Sequence, residues 1–526
     1  MPDVIVIGCG GGGAVAAKEL AEAGMEVLVL EAGPWYQDLD TDYTRQQHDM
    51  ASLVDGKLRW GPGDRDQPPW TRRRDGVWLI LQIAGVGGTT QHYNGISARA
   101  FPDAFARSGW PIKYEDLIPY YERVEAFLPV SQVSELAPKD ELFAKGCEKL
   151  GITRNDAKEI EAECWRPTFN AILPIADRSK GLRWPEADGC TMCGHCMIGC
   201  PNPIGAPIDR KAKRSTNVSY VPAAMATGRC TILPDSYVTK ILTNDSGGAS
   251  GVAWRDANGV ESEAAARVVV LSAGSVESPR LWLNSGLPNP HDTVGRWFST
   301  HLQDTVTGIF DHDVNQDVGQ VTMARADFPG YGTVWSQGLE PQSYAVAVGG
   351  AGRGFASDPA TGPWDSKGRM WGEKARPLQE SYANALTVLV CVDDEEDRDN
   401  RVGLDTDFGP DANGTVPLLT YHPTPESVRR REWLAVKATE LLRAAGARYV
   451  HRSDLDTFIS HPMGTMRMGS DPNTSVVDAS CESHHVKGLF IADNSVFANG
   501  LGGPNPTLTS QALATRTADR IIERYS

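Results

Sequence analysis

Four cysteines fall within eleven positions of the chain: Cys190, Cys193, Cys196 and Cys200, the last followed by Pro201. A C-x2-C-x2-C-x3-C-P run is the spacing with which bacterial ferredoxins hold iron and sulfur, and there the fourth thiolate serves a second cluster. With one such run in the chain, a three-iron cluster on three thiolates and a four-iron cluster on all four are both open. Tetrahedral zinc on four thiolates, free structural thiols and disulfide pairing are the alternatives. His195, between the second and third cysteines, reads as a solvated loop residue. A second chemistry-bearing segment opens the chain as VIVIGCGGGGAV. In Gly8-x-Gly10-x-x-Gly13 the first glycine permits a tight turn and the second lets backbone amides approach a pyrophosphate. The third allows a helix to pack against the strand it leaves, and the helix N-terminus then faces the phosphate charge. Glu31 stands where a carboxylate can accept hydrogen bonds from an adenosine ribose. Because the fingerprint begins at residue 8 and the acid is followed by Ala32 and Gly33, FAD is expected rather than NAD.

A third set lies near the C-terminus. His461 opens HPMGTMRMG, which precedes a strand ending at Asp493, and GPNPTLT (residues 503–509) leads into a final helix. Oxidising an alcohol by hydride transfer needs a base for the hydroxyl proton, and a histidine near neutral pKa is the expected type. A second polar group must hold the substrate oxygen.

These residues need elements to position them. Val4 to Ile7 predicts a strand, Ala14 to Ala23 a helix with apolar residues at three- and four-residue spacing, and Val27 to Leu30 a second strand: a βαβ opening with parallel pairing. A polar, loop-rich stretch follows until Val77 to Ile83, which leads into GVGGTTQHYNG (residues 85–95). Glycine density after an apolar strand suits a backbone lying flat against a planar ligand, and Gly88, His92, Asn94 and Gly95 are candidate contacts. Cys230 to Leu242 is strand-like. Residues 208–230 carry basic side chains placed to meet phosphate or solvent. From about 300 to 455, Thr305 to Phe310, Ser343 to Val348 and Ala385 to Val392 alternate as antiparallel strands would. Gly349 to Gly372 reads as a mobile loop bordering the entrance, and the acidic run Asp393 to Asp399 as a solvated strand end.

The N-terminal fingerprint, GVGGTTQHYNG with Arg99 and Pro102, GWPIKYEDLIPYYERVEAFL (residues 109–128) and SAGSVESPRLWLNSG (residues 272–286) together resemble the glucose-methanol-choline (GMC) oxidoreductase family, from first strand to last helix and in family order. The resemblance implies His461 as catalytic base and Asn505 as its partner. It also places Asp493 near the flavin phosphates or ribityl chain, Pro506 and Thr507 near the pyrimidine edge, and the Val238 backbone against adenine. His92 aligns with a histidine joined covalently to FAD in some relatives and free in others. The cysteine run is similar to one in large subunits of bacterial gluconate, fructose and sorbitol dehydrogenases, where the last spacing is one residue longer. The Asn-Pro-Thr segment looks like pyranose oxidases and sugar dehydrogenases.

The expected fold is α/β: a Rossmann-type FAD-binding domain (residues 1–36, 76–130, 208–300 and 455–526) interleaved with an α+β substrate domain built on an antiparallel sheet (37–75, 131–207 and 301–454). The expected activity is oxidation of a CH–OH group of a carbohydrate or polyol, with electrons relayed through an iron–sulfur cluster to an external acceptor such as a protein, quinone or small partner subunit. An oxidase using O2, an aminoglycoside dehydrogenase of antibiotic biosynthesis, and a flavin-bound redox-sensing subunit without turnover are the alternatives. At 526 residues, 41% hydrophobic and 8% aromatic, the chain has enough to bury two cores. A net charge of −16 argues against nucleic acid. No apolar stretch is long enough to span a membrane. The strand beginning at once, without a basic n-region, predicts no export signal and a cytoplasmic site, where clustered thiols more often bind metal than each other.

Overall fold

The computed structural model describes residues 1–37, 73–77, 79–107, 109–345, 347–348, 373, 376–407, 410–454 and 458–526. The loop expected at Gly349 to Gly372 and most of the polar stretch after residue 37 lie outside them. The elements that position the site begin with β1 (Val4–Ile7), α1 (Gly13–Glu22), β2 (Val27–Leu30) and β3 (Cys164–Pro167). Next come β4 (Cys230–Leu233), β5 (Ser236–Thr243), β6 (Val268–Leu271) and α2 (Gly274–Asn284). The second half supplies β7 (Gln303–Ile309), β8 (Ala324–Phe328), β9 (Gly332–Gln337) and β10 (Ala385–Val392). The chain closes with α3 (Pro425–Ala445), β11 (Tyr449–Asp454), β12 (Leu489–Ile491) and α4 (Thr507–Tyr525).

Two sheets carry the architecture. The first is five-stranded and parallel, in the order β12-β6-β1-β2-β4, so strands from both ends of the chain meet around β1. All four residues of β1 are buried, as an apolar run without alternation requires of a strand covered on both faces. Each such Val or Ile contributes about 1.5–3 kcal/mol by burial. The second sheet has six strands, β11-β7-β10-β9-β8-β3, all antiparallel. Helix α3 covers it: Leu434, Ala438, Leu441 and Leu442 share one buried cluster with Val306, Val388 and Val390. Thr424 caps this helix by accepting from the Ser427 N–H, Pro425 takes its first position, and Gly446, at φ 115°, ends it. The α/β expectation therefore holds, with a Rossmann-type parallel sheet beside an antiparallel one.

Three local expectations are corrected. The described residues within Ser343 to Val348 do not form a strand: Pro341–Ala345 is a short helix, and proline, compatible with the first helical turn, opens it. The start of the acidic run is not solvated, since Asp393 and Asp394 are buried. The Gly502 N–H donates to Asp393 Oδ1 at 3.1 Å, and the Tyr421 hydroxyl donates to Asp394 Oδ2 at 2.9 Å. Of the basic residues in 208–230, Arg210 and Arg229 are exposed as expected, whereas Lys211, Lys213 and Arg214 do not meet solvent, being buried donors to backbone carbonyls.

Candidate active site

At the end of β1 the chain turns through Gly8, whose φ of 94° suits glycine and where a Cβ would stand 2.4 Å from the Ser272 carbonyl oxygen. A Cβ on Gly13 would stand 2.0 Å from the Gly8 oxygen, so helix α1 can leave β1 this closely only with glycine there. Gly10 is different. The nearest atom to a Cβ on it is Gly88 Cα, 3.9 Å away, and two bare glycine backbones thus face one another at the strand-to-helix turn. That cradle, at the N-terminus of a helix, fits a pyrophosphate. Glu31, at the end of β2, accepts from the Gly33 and Gly85 N–H groups on Oε1 (both 2.9 Å) and from the Cys9 N–H on Oε2 (2.7 Å). It therefore ties the turn, the segment after β2 and the glycine-rich 85–95 loop into one rim, with lone pairs remaining for a ribose hydroxyl. Burial pushes its pKa up to about 6.

Ala32 is half-buried beside Glu31, and buried Val238 lies in β5, whose Ser236 N–H donates to the Glu31 carbonyl at 2.8 Å. Asp493, just past β12, accepts from the Gly274 N–H and the Ser278 hydroxyl at the start of α2 (2.9 and 2.6 Å). Pro506 and Thr507 form the entry to α4. Gly95 needs its left-handed φ of 84°, and a Cβ there would meet Ile172 at 2.7 Å. Asn94 donates to Thr322 and Gln337 side chains at 3.3 and 3.2 Å, linking the glycine-rich loop to the antiparallel sheet.

His461 and Asn505 meet the end of that sheet. The rings of His461 and Trp335, on β9, lie 6.2 Å apart. Trp335 shares a buried cluster with Ile96 and Cys391, and Asn505 Nδ2 donates to the Ile96 carbonyl at 2.7 Å. The buried Asn505 Oδ1 makes no hydrogen bond among the described residues, which leaves an acceptor for a group not belonging to the chain. Burial and the neighbouring His301 hold the His461 pKa well below its ordinary value. The imidazole is thus neutral at pH 7, the form a base requires. Sequence reasoning missed His301 altogether: its Nδ1 lies 2.8 Å from His461 Nδ1, across 160 positions of chain.

The four cysteines come together, but not as ligands. Cys190, Cys196 and Cys200 pack with Met192, Val321 and Met323 in one apolar cluster, and all four thiols are unpaired. Among the described residues no three His, Cys, Asp or Glu side chains stand where they could hold a metal ion. Cys190 pairs with Ile175 and Cys193 with Gly319, while the Asn202 amide donates to Cys193 Sγ at 3.0 Å. Burial pushes the Cys190 thiol up to about 12 and raises Cys196 and Cys200 as well. The expectation of an iron–sulfur cluster or zinc on these thiols therefore finds no support among the described residues. Exposed His195 is as expected. The loop covers the segment from Gln91 to Tyr93. His92 Nδ1–H donates to the Met197 carbonyl at 3.0 Å, and Lys213 Nζ donates to the carbonyls of Gln91, Tyr93 and Cys196 at 2.6, 3.1 and 2.5 Å.

Comparison with known proteins agrees with this geometry. Residues 166–303 and 397–514 match the two GMC oxidoreductase family models, N- and C-terminal, and residues 3–37 match an FAD-binding domain. The chain belongs to the GMC oxidoreductase family. Among its GMC relatives, 2-methyl-1,2-propanediol dehydrogenase of Mycolicibacterium austroafricanum is 28% identical, covering 100% of this chain and 96% of that one. The 6'''-hydroxyparomomycin C oxidase of Streptomyces lividus is also 28% identical, at 100% and 92%. Pyridoxine 4-oxidase from Mesorbium loti has a similar fold, with a TM-score of 0.66, 18% identity and 99% of each chain covered. Among the described residues no helix is long and apolar enough to cross a membrane.

Proposed function

We propose that this GMC oxidoreductase oxidises a CH–OH group of a polyol, carbohydrate or amino sugar and passes the electrons to an external acceptor. The observation that carries the reading is the neutral His461 imidazole. Its Nε2 makes no hydrogen bond among the described residues, and it shares the end of the antiparallel sheet with an unsatisfied Asn505 carbonyl oxygen. FAD, held by the Gly8–Gly13 turn, the Gly88 backbone and Glu31, supplies the hydride acceptor when bound. The chain's own work is then to take the hydroxyl proton at His461 Nε2, to orient the substrate oxygen through the Asn505 carboxamide, and to keep water from the reacting carbon with Trp335, Ile96 and the cysteine loop. One relative is named for a diol and another for an amino sugar, which supports a hydroxylated substrate of that range.

The test is anaerobic reduction of the holoenzyme with 2-methyl-1,2-propanediol, paromomycin and a set of common sugars, followed spectrally. Bleaching of the flavin by one of them, and its loss in His461→Ala, supports the reading; no bleaching by any of them overturns it. Reoxidation by air against a quinone separates oxidase from dehydrogenase. An iron–sulfur relay has sequence spacing alone behind it, and no step is drawn through the thiols. Stoichiometric iron and sulfide with an EPR signal would support a relay, and their absence leaves the loop as a cover over His92 and Tyr93.

A further inference from the structure

The pairing of His301 with His461 is built by backbone register. Ser299 and Met463 form an antiparallel bridge, exchanging N–H to carbonyl bonds of 3.0 and 2.9 Å. Two residues outward on each strand of that bridge stand 301 and 461, so the two imidazoles are set opposite one another rather than meeting by chance of rotamer. His301 is fully buried. Its Nε2 lies 2.9 Å from the Gly500 carbonyl oxygen and its Nδ1 lies 2.8 Å from His461 Nδ1.

Only one proton arrangement satisfies both contacts in neutral rings. A carbonyl oxygen accepts and never donates, so His301 must carry its proton on Nε2. Its Nδ1 is then a bare lone pair, and the short contact requires a proton on the other partner, His461 Nδ1. His461 in turn is left with its lone pair on Nε2, the atom with no protein partner. Double protonation of His301 is the alternative, and burial holds its pKa down at about 4. The carbonyl that starts this chain is itself fixed. Asp393, buried and paired with Arg107 at 2.8 Å, accepts from the Gly502 N–H, two residues beyond Gly500.

We propose that His301 is a positioning residue that sets the tautomer of His461, keeping Nδ1 protonated so that Nε2 is free to receive the substrate's hydroxyl proton. The geometry stands without any substrate, while its consequence for rate rests on the alcohol-oxidation reading. Imidazole tautomers set by a hydrogen-bonded neighbour are a general device for preparing a base.

The experiment pairs a structural readout with a kinetic one. NMR of holoprotein carrying nitrogen-labelled histidine, with the His461 signals assigned by their loss in His461→Ala, should show Nδ1 protonated and Nε2 bare at pH 7. In His301→Ala the tautomer with Nε2 protonated should appear, and the flavin-reduction rate with 2-methyl-1,2-propanediol should fall about tenfold or more, with kcat lowered and KM little changed. In His301→Asn the side-chain oxygen takes the place of Nδ1 as acceptor, and both tautomer and rate should return toward the unmodified protein. A protonated Nε2 on His461 in the unmodified protein overturns the proposal, as does a His301→Ala variant with unchanged tautomer and rate. Failure of the probe alcohol to reduce the flavin strikes the alcohol-oxidation reading alone, because the spectrum of the unmodified protein still decides the tautomer.

Discussion

At the scale of single residues, the proposed chemistry depends on one nitrogen lone pair, and the environment of His461 makes it testable by pH. A group whose folded pKa is depressed keeps its neutral form as pH falls past the ordinary histidine value. The His461 base should therefore stay unprotonated well into the acid range, and flavin reduction should not decline between pH 8 and 6. A single-turnover rate that halves near pH 6.5 would show an imidazole of ordinary pKa and overturn the depression by burial, leaving the base role to the alanine variant. Replacing it with alanine should lower the reduction rate by about 10²–10⁴-fold, the usual worth of a positioned base, with flavin content unchanged. Asn505→Ala should act on KM and kcat together, since the carboxamide both binds the oxygen and orients it; an effect confined to thermal stability would mean that the bond to Ile96 is its only service.

At the scale of elements, the turn between β1 and α1 is where sequence and structure agree most closely, because its requirements are local. Gly8 and Gly13 are demanded by contacts within a few residues or across one strand pair, and the flanking Val4–Ile7 run announces its own burial. Gly13→Val should abolish FAD retention, since its side chain would displace the Gly8 carbonyl; a variant that still purifies yellow, with unchanged stability, would show that the helix can shift. Asp493 and Val238 were legible only through resemblance, as nothing in their own neighbourhoods marks them. His301 left no sequence trace, because the register that pairs residue 299 with residue 463 joins segments far apart in the chain. The cysteine run shows the opposite error. Its spacing is strong, but spacing does not encode that Cys190 and Cys193 are drawn to different backbone partners, at Ile175 and Gly319. Lys213 was misread for a related reason: a basic residue in a loop looks solvated until three carbonyls from two other segments converge on it.

At the scale of the whole molecule, buried titratable groups of opposite habit balance one another. Burial depresses His301 and His451 to about 4 and His92 to about 3. Stability from such histidines is complete above the unfolded value of about 6.5 and is lost as pH falls toward the folded values. Burial raises Asp394 to about 6 and Glu396 to about 7. Stability from such carboxyls is complete below the unfolded values near 4 and is lost as pH rises through 6 to 7. Between about pH 5 and 7 the two sets have opposite slopes, so the urea midpoint of the unmodified protein should change little there and drop below about pH 4.5, where the histidines and the ion-paired carboxyls held below their ordinary range, Glu125 and Glu432 among them, lose stability together. Removing one member tips the balance in a known direction. With Asp394→Asn the histidine slope should dominate, and stability should fall on going from pH 7 to 5. With His451→Gln the carboxyl slope should dominate, and stability should rise over the same interval. Parallel pH profiles for these two variants would mean that the titrations act through the unfolded chain rather than through burial in the folded one.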